Sequence, residues 1–218
     1  MRRAVGIAVS GVLCVLVAGS VGAQTASEPS PAPEASPAPS WSFGAWAYTY
    51  VVPDERDYVQ PTITADHDWL HLEARYNYEA LDAGSLWLGL NFAGGDALAW
   101  EVVPMIGGVV GHTWGVAPGL KGALSWWKLE LSTEDEYVVD TKDHRDSFFY
   151  SWSELALSPL EWCRVGIAGQ RTHAYDTPRD LQRGFLAGAS YRSFHLTAYV
   201  FDPDLPKPTV VVAVGASF

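Results

Sequence analysis

Hydrophobic and polar residues alternate along most of the chain after residue 40. The alternation is clearest over 69–80, and it is repeated at the C-terminus, where apolar residues occupy every second position up to Phe218. Alternation places successive side chains on opposite faces of a β-strand. In 69–80 one face carries Leu70, Leu72, Ala74, Tyr76 and Tyr78, and the other carries His71, Glu73, Arg75 and Asn77. No segment after residue 40 has sustained helical spacing with capping residues, so the pattern predicts an all-β antiparallel domain over 41–218.

The N-terminus has the pattern of an export signal followed by a linker. Arg2 and Arg3 precede an uncharged apolar run, and small residues stand before Gln24, which predicts a signal peptide over 1–23. A retained anchor helix is the alternative. Residues 24–40 contain five prolines and few residues to bury, which predicts a disordered linker rich in Pro, Ala and Ser. This arm is either a spacer or a tether to a periplasmic partner.

Composition and charge exclude several function classes. The 218 residues carry 25 acidic and 14 basic side chains, a net charge of −11, which argues against binding nucleic acid. Of the two cysteines, Cys14 lies in the signal peptide, so Cys163 has no partner for a disulfide bond. The 28 aromatic residues, all after residue 40, exclude a wholly disordered chain.

Alternation does not say which face meets water. A soluble β-sandwich or lipocalin-like barrel buries its apolar face, whereas a membrane barrel turns that face toward lipid. Aromatic residues gather near the predicted strand ends, as in the pairs Tyr76/Tyr78 and Trp126/Trp127. Interfacial aromatic girdles have this distribution. Together with an export signal and the absence of disulfide bonds, it favours the membrane barrel.

The C-terminal strand resembles a known sorting signal. Apolar residues at alternate positions ending in Phe218 are similar to the terminal strand of bacterial outer-membrane β-barrel proteins. The resemblance implies that the barrel assembly machinery reads Val214 and Phe218, that outer-membrane lipid surrounds the chain, and that both termini lie in the periplasm. It indicates the class and no subfamily.

Counting strands under this topology predicts a closed antiparallel transmembrane barrel of 12 strands. Alternation predicts one strand ending near Asp140 and others at 42–52, 58–66, 69–80, 85–94, 97–106, 148–157, 162–172, 183–192, 194–202 and 208–218. An inward-running strand must then lie within 107–127, either at 107–116 or at 119–127. Ten strands remain possible if short stretches such as 58–66 lie outside the bilayer.

The polar face of the strands is the candidate functional surface, because it lines the lumen of a membrane barrel. Projecting the alternation inward predicts that the lumen-lining residues are His71, Glu73, Arg75, Asn77, Asn91, Glu101, Lys128, Glu130, Arg164 and Gln170. Mixed charge there is consistent either with a salt-bridged plug or with a polar passage whose carboxylates favour cations.

Three functions follow from this interpretation. The first is a small passive pore with a weak preference for cations or neutral solutes, and the second is a non-conducting barrel that binds a partner at its surface. The third, an outer-membrane lipid enzyme, would need a positioned histidine such as His144 or His173, yet neither lies in a motif of such enzymes. No catalytic residue, cofactor or metal site is therefore predicted.

Overall fold

The computed structural model describes the backbone of residues 40–174 and 180–218 and the side chains of residues 40–172 and 181–218. These residues form β-strands and one short 3-10 helix, His144–Asp146. The strands are β1 (Ser42–Val51), β2 (Tyr58–His67), β3 (Leu70–Tyr76), β4 (Ala83–Leu90), β5 (Phe92–Gly94), β6 (Leu98–Gly111), β7 (Gly115–Trp126), β8 (Leu129–Asp140), β9 (Phe148–Leu160), β10 (Cys163–Ala174), β11 (Asp180–Tyr191), β12 (Phe194–Phe201) and β13 (Thr209–Ser217).

Twelve of these strands close into an antiparallel barrel. Each strand pairs with its neighbour in sequence, except that β4 pairs with β6 and β5 forms a short hairpin with β6 outside the barrel. The barrel closes between β1 and β13, where the backbone N–H of Phe43 donates to the carbonyl of Phe218 at 2.7 Å. Closure pairs the backbone groups of both edges, which a barrel in lipid requires. The predicted twelve-stranded barrel is confirmed.

Several strand bounds differ from the prediction because a turn interrupts the alternation. The strand predicted over 69–80 ends at Tyr76, since Asn77 has a φ of 56° and begins a turn. The strand predicted over 97–106 continues to Gly111. The inward strand left open between 107 and 127 is β7, which corresponds to the second of the two candidates.

The apolar face of the sheet points outward. On β3, Leu72 is 37% exposed, whereas Glu73 and Arg75 are each 4% exposed. The same division holds on other strands, where Leu86, Ile63 and Phe185 are all at least 60% exposed. Apolar side chains on the outer wall, with charged groups enclosed, are the arrangement of a membrane barrel.

The two ends of the barrel differ in their connections. The end that holds the chain terminus has two-residue turns at 68–69, 127–128, 161–162 and 192–193, while the other end has loops of up to seven residues, such as 141–147 and 202–208. Large exposed aromatic side chains surround the short-turn end, among them Trp69, Trp126, Trp127, Trp162, Tyr191, Phe194 and Phe218. Short turns face the periplasm in outer-membrane barrels, so the longer loops lie outside.

Two inner glycines let bulky rings lie flat against the wall. A Cβ atom on Gly215 would lie 2.1 Å from the ring of Trp46, and one on Gly107 would lie 2.5 Å from the ring of Trp87. Each glycine therefore gives an inward-pointing indole the room it occupies.

None of the helical residues in the described ranges forms a segment long and apolar enough to cross a membrane. The predicted signal peptide and most of the predicted linker lie outside the described residues.

Candidate functional site: the barrel lumen

A network of ion pairs centred on Arg75 crosses the lumen. Its guanidinium meets Glu73 on its own strand at 2.7 Å, and it reaches across to Glu134 at 2.7 Å and Glu136 at 2.9 Å on β8. A fourth carboxylate, that of Glu79, lies at 3.8 Å. The Arg75 side chain is fully enclosed, so its fork of donors fixes β3 and β8 relative to each other through the interior.

The network extends along β3 and onto β7. Lys121 is ion-paired with Glu73 and lies 3.5 Å from Glu134. His71 lies between two carboxylates, with Nδ1 at 2.7 Å from Asp66 and Nε2 at 3.1 Å from Glu73. The charged groups therefore form one connected set, in which each buried charge has a partner of opposite sign or a hydrogen bond.

A second polar cluster surrounds Glu154 on β9. Its carboxylate accepts hydrogen bonds from Arg164 at 2.6 Å, from the hydroxyl of Tyr199 at 2.8 Å and from the indole N–H of Trp152 at 2.8 Å. Trp152 also makes edge-on contacts with Tyr48 and Tyr199. This side of the lumen therefore combines one buried ion pair, between Arg164 and Glu154, with a group of aromatic rings.

Two cavities lie inside the barrel between these clusters. The inner one has a volume of about 90 Å³ and is lined by Glu73, Lys121, Glu134, Trp152 and Glu154 among others. The outer one has a volume of about 290 Å³ and opens among residues near the longer loops. Both are large enough to hold water.

The same four residues line both cavities. They are Tyr50, Gln60, Tyr78 and Tyr150, and we call them the constriction. The rings of Tyr78 and Tyr150 meet edge to face with centroids 5.6 Å apart. The two cavities therefore adjoin at a mostly aromatic segment of the lumen.

Acidic groups outnumber basic ones inside the barrel. Among residues 40–172 and 181–218, seven carboxylates are buried, against three basic side chains and one histidine. The carboxylates are Asp66, Glu73, Glu79, Glu101, Glu136, Asp140 and Glu154, and the bases are Arg75, Lys121 and Arg164. Half-buried Glu130 and Glu134 add to the acidic side, so the lumen carries negative formal charge.

The structure places the ten predicted lumen residues in three settings. His71, Glu73, Arg75, Glu101 and Arg164 are buried inside the barrel. Glu130 lies 4.0 Å from Arg164 with partial exposure, and Gln170 lines the outer cavity, where its amide meets Gln182. Asn77, Asn91 and Lys128 lie at turns.

Three of the predicted residues lie at turns, where strand alternation no longer fixes the direction of a side chain. Lys128 is exposed in the two-residue turn between β7 and β8, and its Nζ donates to the carbonyl of Pro159 at 2.7 Å. Asn77 receives the backbone N–H of Asp82 at 2.8 Å in an outer loop. Asn91 follows β4 and donates to Asp66 at 3.0 Å at the periplasmic rim.

Sequence reasoning missed several residues that form the site. Glu134 and Glu136 continue the inward alternation of Glu130 along β8, so that spacing could have found them. Lys121 stands in a Gly-rich stretch where the alternation does not decide between two candidate strands. The alternation predicts Tyr78 on the apolar face of a strand, but Tyr78 follows the turn at Asn77 and lines the lumen.

The two histidines considered for catalysis lie near the outer end of the barrel. His144 lies in the outer 3-10 turn, where Asp143 caps the backbone N–H of Arg145 at 3.0 Å, and the side chain of His173 lies outside the described ones. Within the described ranges, no group of three or more His, Cys, Asp or Glu residues is placed to hold a metal ion.

Comparison with solved structures supports this fold. No protein-family model and no curated protein matches the chain. Among solved structures, the chain is similar to the KdgM porin, with a TM-score of 0.57 and 10% identity over 80% of this chain and 99% of the porin. A second KdgM porin structure, in complex with disordered oligogalacturonate, gives 0.54 and 8% identity over 81% and 99%.

The chain has the fold of a bacterial outer-membrane β-barrel. Similarity at these identities concerns the fold, and the apolar outer wall agrees with it. The predicted class and the outer-membrane location are thereby confirmed. Of the two residues assigned to the assembly signal, Val214 is 51% exposed on the outer wall of β13 and Phe218 is 71% exposed at the periplasmic end.

Proposed function

We propose that the protein is a narrow passive channel that admits small cations or small neutral solutes. The observation that supports this most directly is the pair of adjoining cavities within a closed barrel. Polar lumens of outer-membrane barrels conduct where side chains leave a wet path.

The constriction sets the size of the proposed path. Barrels with few strands fill with side chains, and here the Arg75 network and the ring of Trp152 occupy much of the cross-section. The proposed path then passes the rings of Tyr50, Tyr78 and Tyr150, which line both cavities. A small conductance is therefore expected, because only hydrated ions or solutes of similar size fit.

The excess of carboxylates supports a preference for cations. Fixed negative charge in a pore of low dielectric lowers the energy of cations and raises that of anions. A KdgM porin structure contains the acidic saccharide oligogalacturonate. The negative charge inside this lumen disfavours such a polyanion, so we infer that the two proteins differ in the solutes they admit.

Single-channel recording in a planar bilayer tests the proposal. Tyr150→Ala removes a ring from the constriction and is expected to raise the conductance, whereas Glu134→Gln removes one carboxylate from the inner cavity and is expected to lower the K⁺/Cl⁻ permeability ratio. Asp96→Asn is the matched control, since Asp96 is exposed between β5 and β6. A ratio that responds equally to Asp96→Asn and Glu134→Gln would contradict selection within the lumen.

The second candidate is a non-conducting barrel whose loops bind a partner. The ion pairs from β3 to β8 favour it, because they span the interior and could hold the lumen closed. Silence of a correctly folded protein in the bilayer, unchanged by Tyr150→Ala, would favour this candidate.

A further inference from the structure

The outer wall of the barrel carries one polar patch on three neighbouring strands. It lies on β8, β9 and β10, at positions that face away from the lumen. The polar patch consists of Thr133, Asp135, Ser151, Ser153 and Arg171.

Strand alternation fixes the outward direction of these side chains. On β8 and β9 the even-numbered Glu136 and Glu154 are buried in the lumen, at 1% and 8% exposure, and the odd-numbered Leu131 and Leu155 are exposed at 46% and 43%. On β10, Arg171 shares its face with Ile167, which is 53% exposed. Odd positions on all three strands therefore face the membrane.

The register places the patch within the apolar band. Leu131 pairs with Leu155 on its periplasmic side, and Tyr137 pairs with Phe149 on its outer side. The pairs Thr133/Ser153 and Asp135/Ser151 lie between them. An aromatic ring on the outer side of the patch indicates that it is below the girdle and not among lipid headgroups.

The charges of the patch are only partly satisfied within the chain. Thr133 donates to the Asp135 carboxylate at 3.0 Å and contacts the hydroxyl of Ser153 at 3.0 Å. The Arg171 guanidinium lies over the ring of Phe149 at 5.6 Å, and its buried Nε has no hydrogen-bond partner among the described residues. Among the described side chains, no ion pair joins Asp135 to Arg171.

Contact between the polar patch and the hydrocarbon of the bilayer is energetically unfavourable. Ionised side chains on the lipid face of a barrel cost free energy, most at the bilayer midplane. The opposite wall shows the usual solution, since the outward positions there are apolar, as at Ile63 on β2 and Leu72 on β3. A protein surface of complementary charge would satisfy both ions and exclude lipid from them.

We propose that the polar patch is the contact surface of a two-fold homodimer. Ser151 is paired with Asp135 on one side and with Arg171 on the other, so the two opposite charges flank it. A two-fold axis along the membrane normal, passing near Ser151, places Asp135 of each copy opposite Arg171 of the other copy. Gly122 beside Thr133 and Gly169 beside Ser153 lower the surface and allow close approach.

Cysteine cross-linking in native outer membranes tests the dimer directly and needs no conductance. Ser151→Cys is made in a Cys163→Ser background, and the matched control is Ala65→Cys on β2, across the barrel. The expected result is an intermolecular disulfide from Ser151→Cys at least about tenfold more abundant than from the control, since only the former lies at the two-fold axis. Heat-modifiable migration on a gel confirms that each variant is folded.

A charge exchange tests the pairing. Asp135→Arg and Arg171→Asp are each expected to lower the cross-linked fraction of Ser151→Cys about tenfold, and the double variant is expected to restore it. Equal cross-linking from both cysteines, or no rescue by the double variant, overturns the proposal. Lipid phosphate that copurifies with the wild-type monomer and is lost from Arg171→Asp overturns it in favour of a lipid site.

Discussion

Replacing Arg75 removes the central charge of the lumen. In Arg75→Gln the side chain keeps much of its length but loses its charge, so the carboxylates of Glu73, Glu134 and Glu136 lose the guanidinium within 3 Å of them. The rings of Tyr78 and Trp87, which lie 4.3 and 4.6 Å from it, lose a cation–π contact as well.

The expected loss of stability in Arg75→Gln follows from the burial of the ion pairs that Arg75 makes. Removing one partner of a buried ion pair costs about 3–5 kcal/mol, because the other charge stays buried without compensation. Lys121 remains near two of these carboxylates, and Glu134 is partly exposed in the inner cavity, so water and Lys121 recover part of the loss. We therefore expect Arg75→Gln to lower the free energy of unfolding by about 3 kcal/mol.

Urea unfolding in lipid vesicles, followed by tryptophan fluorescence, measures this loss. Lys207→Gln is the surface control, because Lys207 and Asp54 form an exposed pair at 2.6 Å that is worth about 1 kcal/mol or less. Adding Glu136→Gln to Arg75→Gln is expected to recover stability, since it removes one stranded charge. A loss no larger than that of Lys207→Gln would refute the assignment of Arg75 as the organising charge.

Three further outcomes follow from the structure. Gly107→Ala is expected to destabilise the barrel by about 1–3 kcal/mol in urea unfolding, because the new methyl group meets the ring of Trp87, whereas the adjacent Gly108→Ala has open space and is expected to be neutral. Equal effects would contradict the inward direction of Gly107. Phe218→Ala is expected to reduce the amount of heat-modifiable barrel in the outer membrane, and unchanged assembly would remove the sorting role assigned to this residue. Lys207→Gln is expected to increase protease cleavage of the 202–208 loop, since its ion pair ties that loop to the first one; unchanged cleavage would contradict this tie.

Alternation was sufficient to predict the barrel, because a strand that separates lipid from a polar lumen must change character at every residue. The stretch from Leu70 to Tyr76 shows this directly, since its odd positions are buried charges and its even positions form the outer wall. The resemblance of the terminal strand, which ends at Phe218, indicated the class of outer-membrane β-barrel proteins. Neither signal depends on contacts between distant parts of the chain.

Turns and cross-lumen contacts were beyond that reasoning. Nothing local marks Lys128 as a turn residue, because two tryptophans precede it and the alternation continues numerically through the turn. The ion pair between Arg75 and Glu136 joins residues 61 positions apart, and it depends on how the barrel curves. Polar residues on the outer wall, such as Asp135, can be recognised only when the strand register is known.

The lumen combines rigidity with a residual path. Ion pairs join β3 to β8, and hydrogen bonds at Glu154 join β9 to β12, so the wall is tied across its interior on both sides of the cavities. Such cross-links hold the Tyr50, Tyr78 and Tyr150 rings in place, and we expect the conductance to be steady rather than gated by large motions of the wall.

The reversal potential of the wild-type protein across a KCl gradient tests the central claim most directly. A lumen with excess carboxylates predicts discrete current steps whose reversal potential has the sign of K⁺ selectivity and moves toward zero in Glu134→Gln. A reversal potential with the sign of Cl⁻ selectivity would contradict the account. A folded barrel that never conducts would contradict it as well.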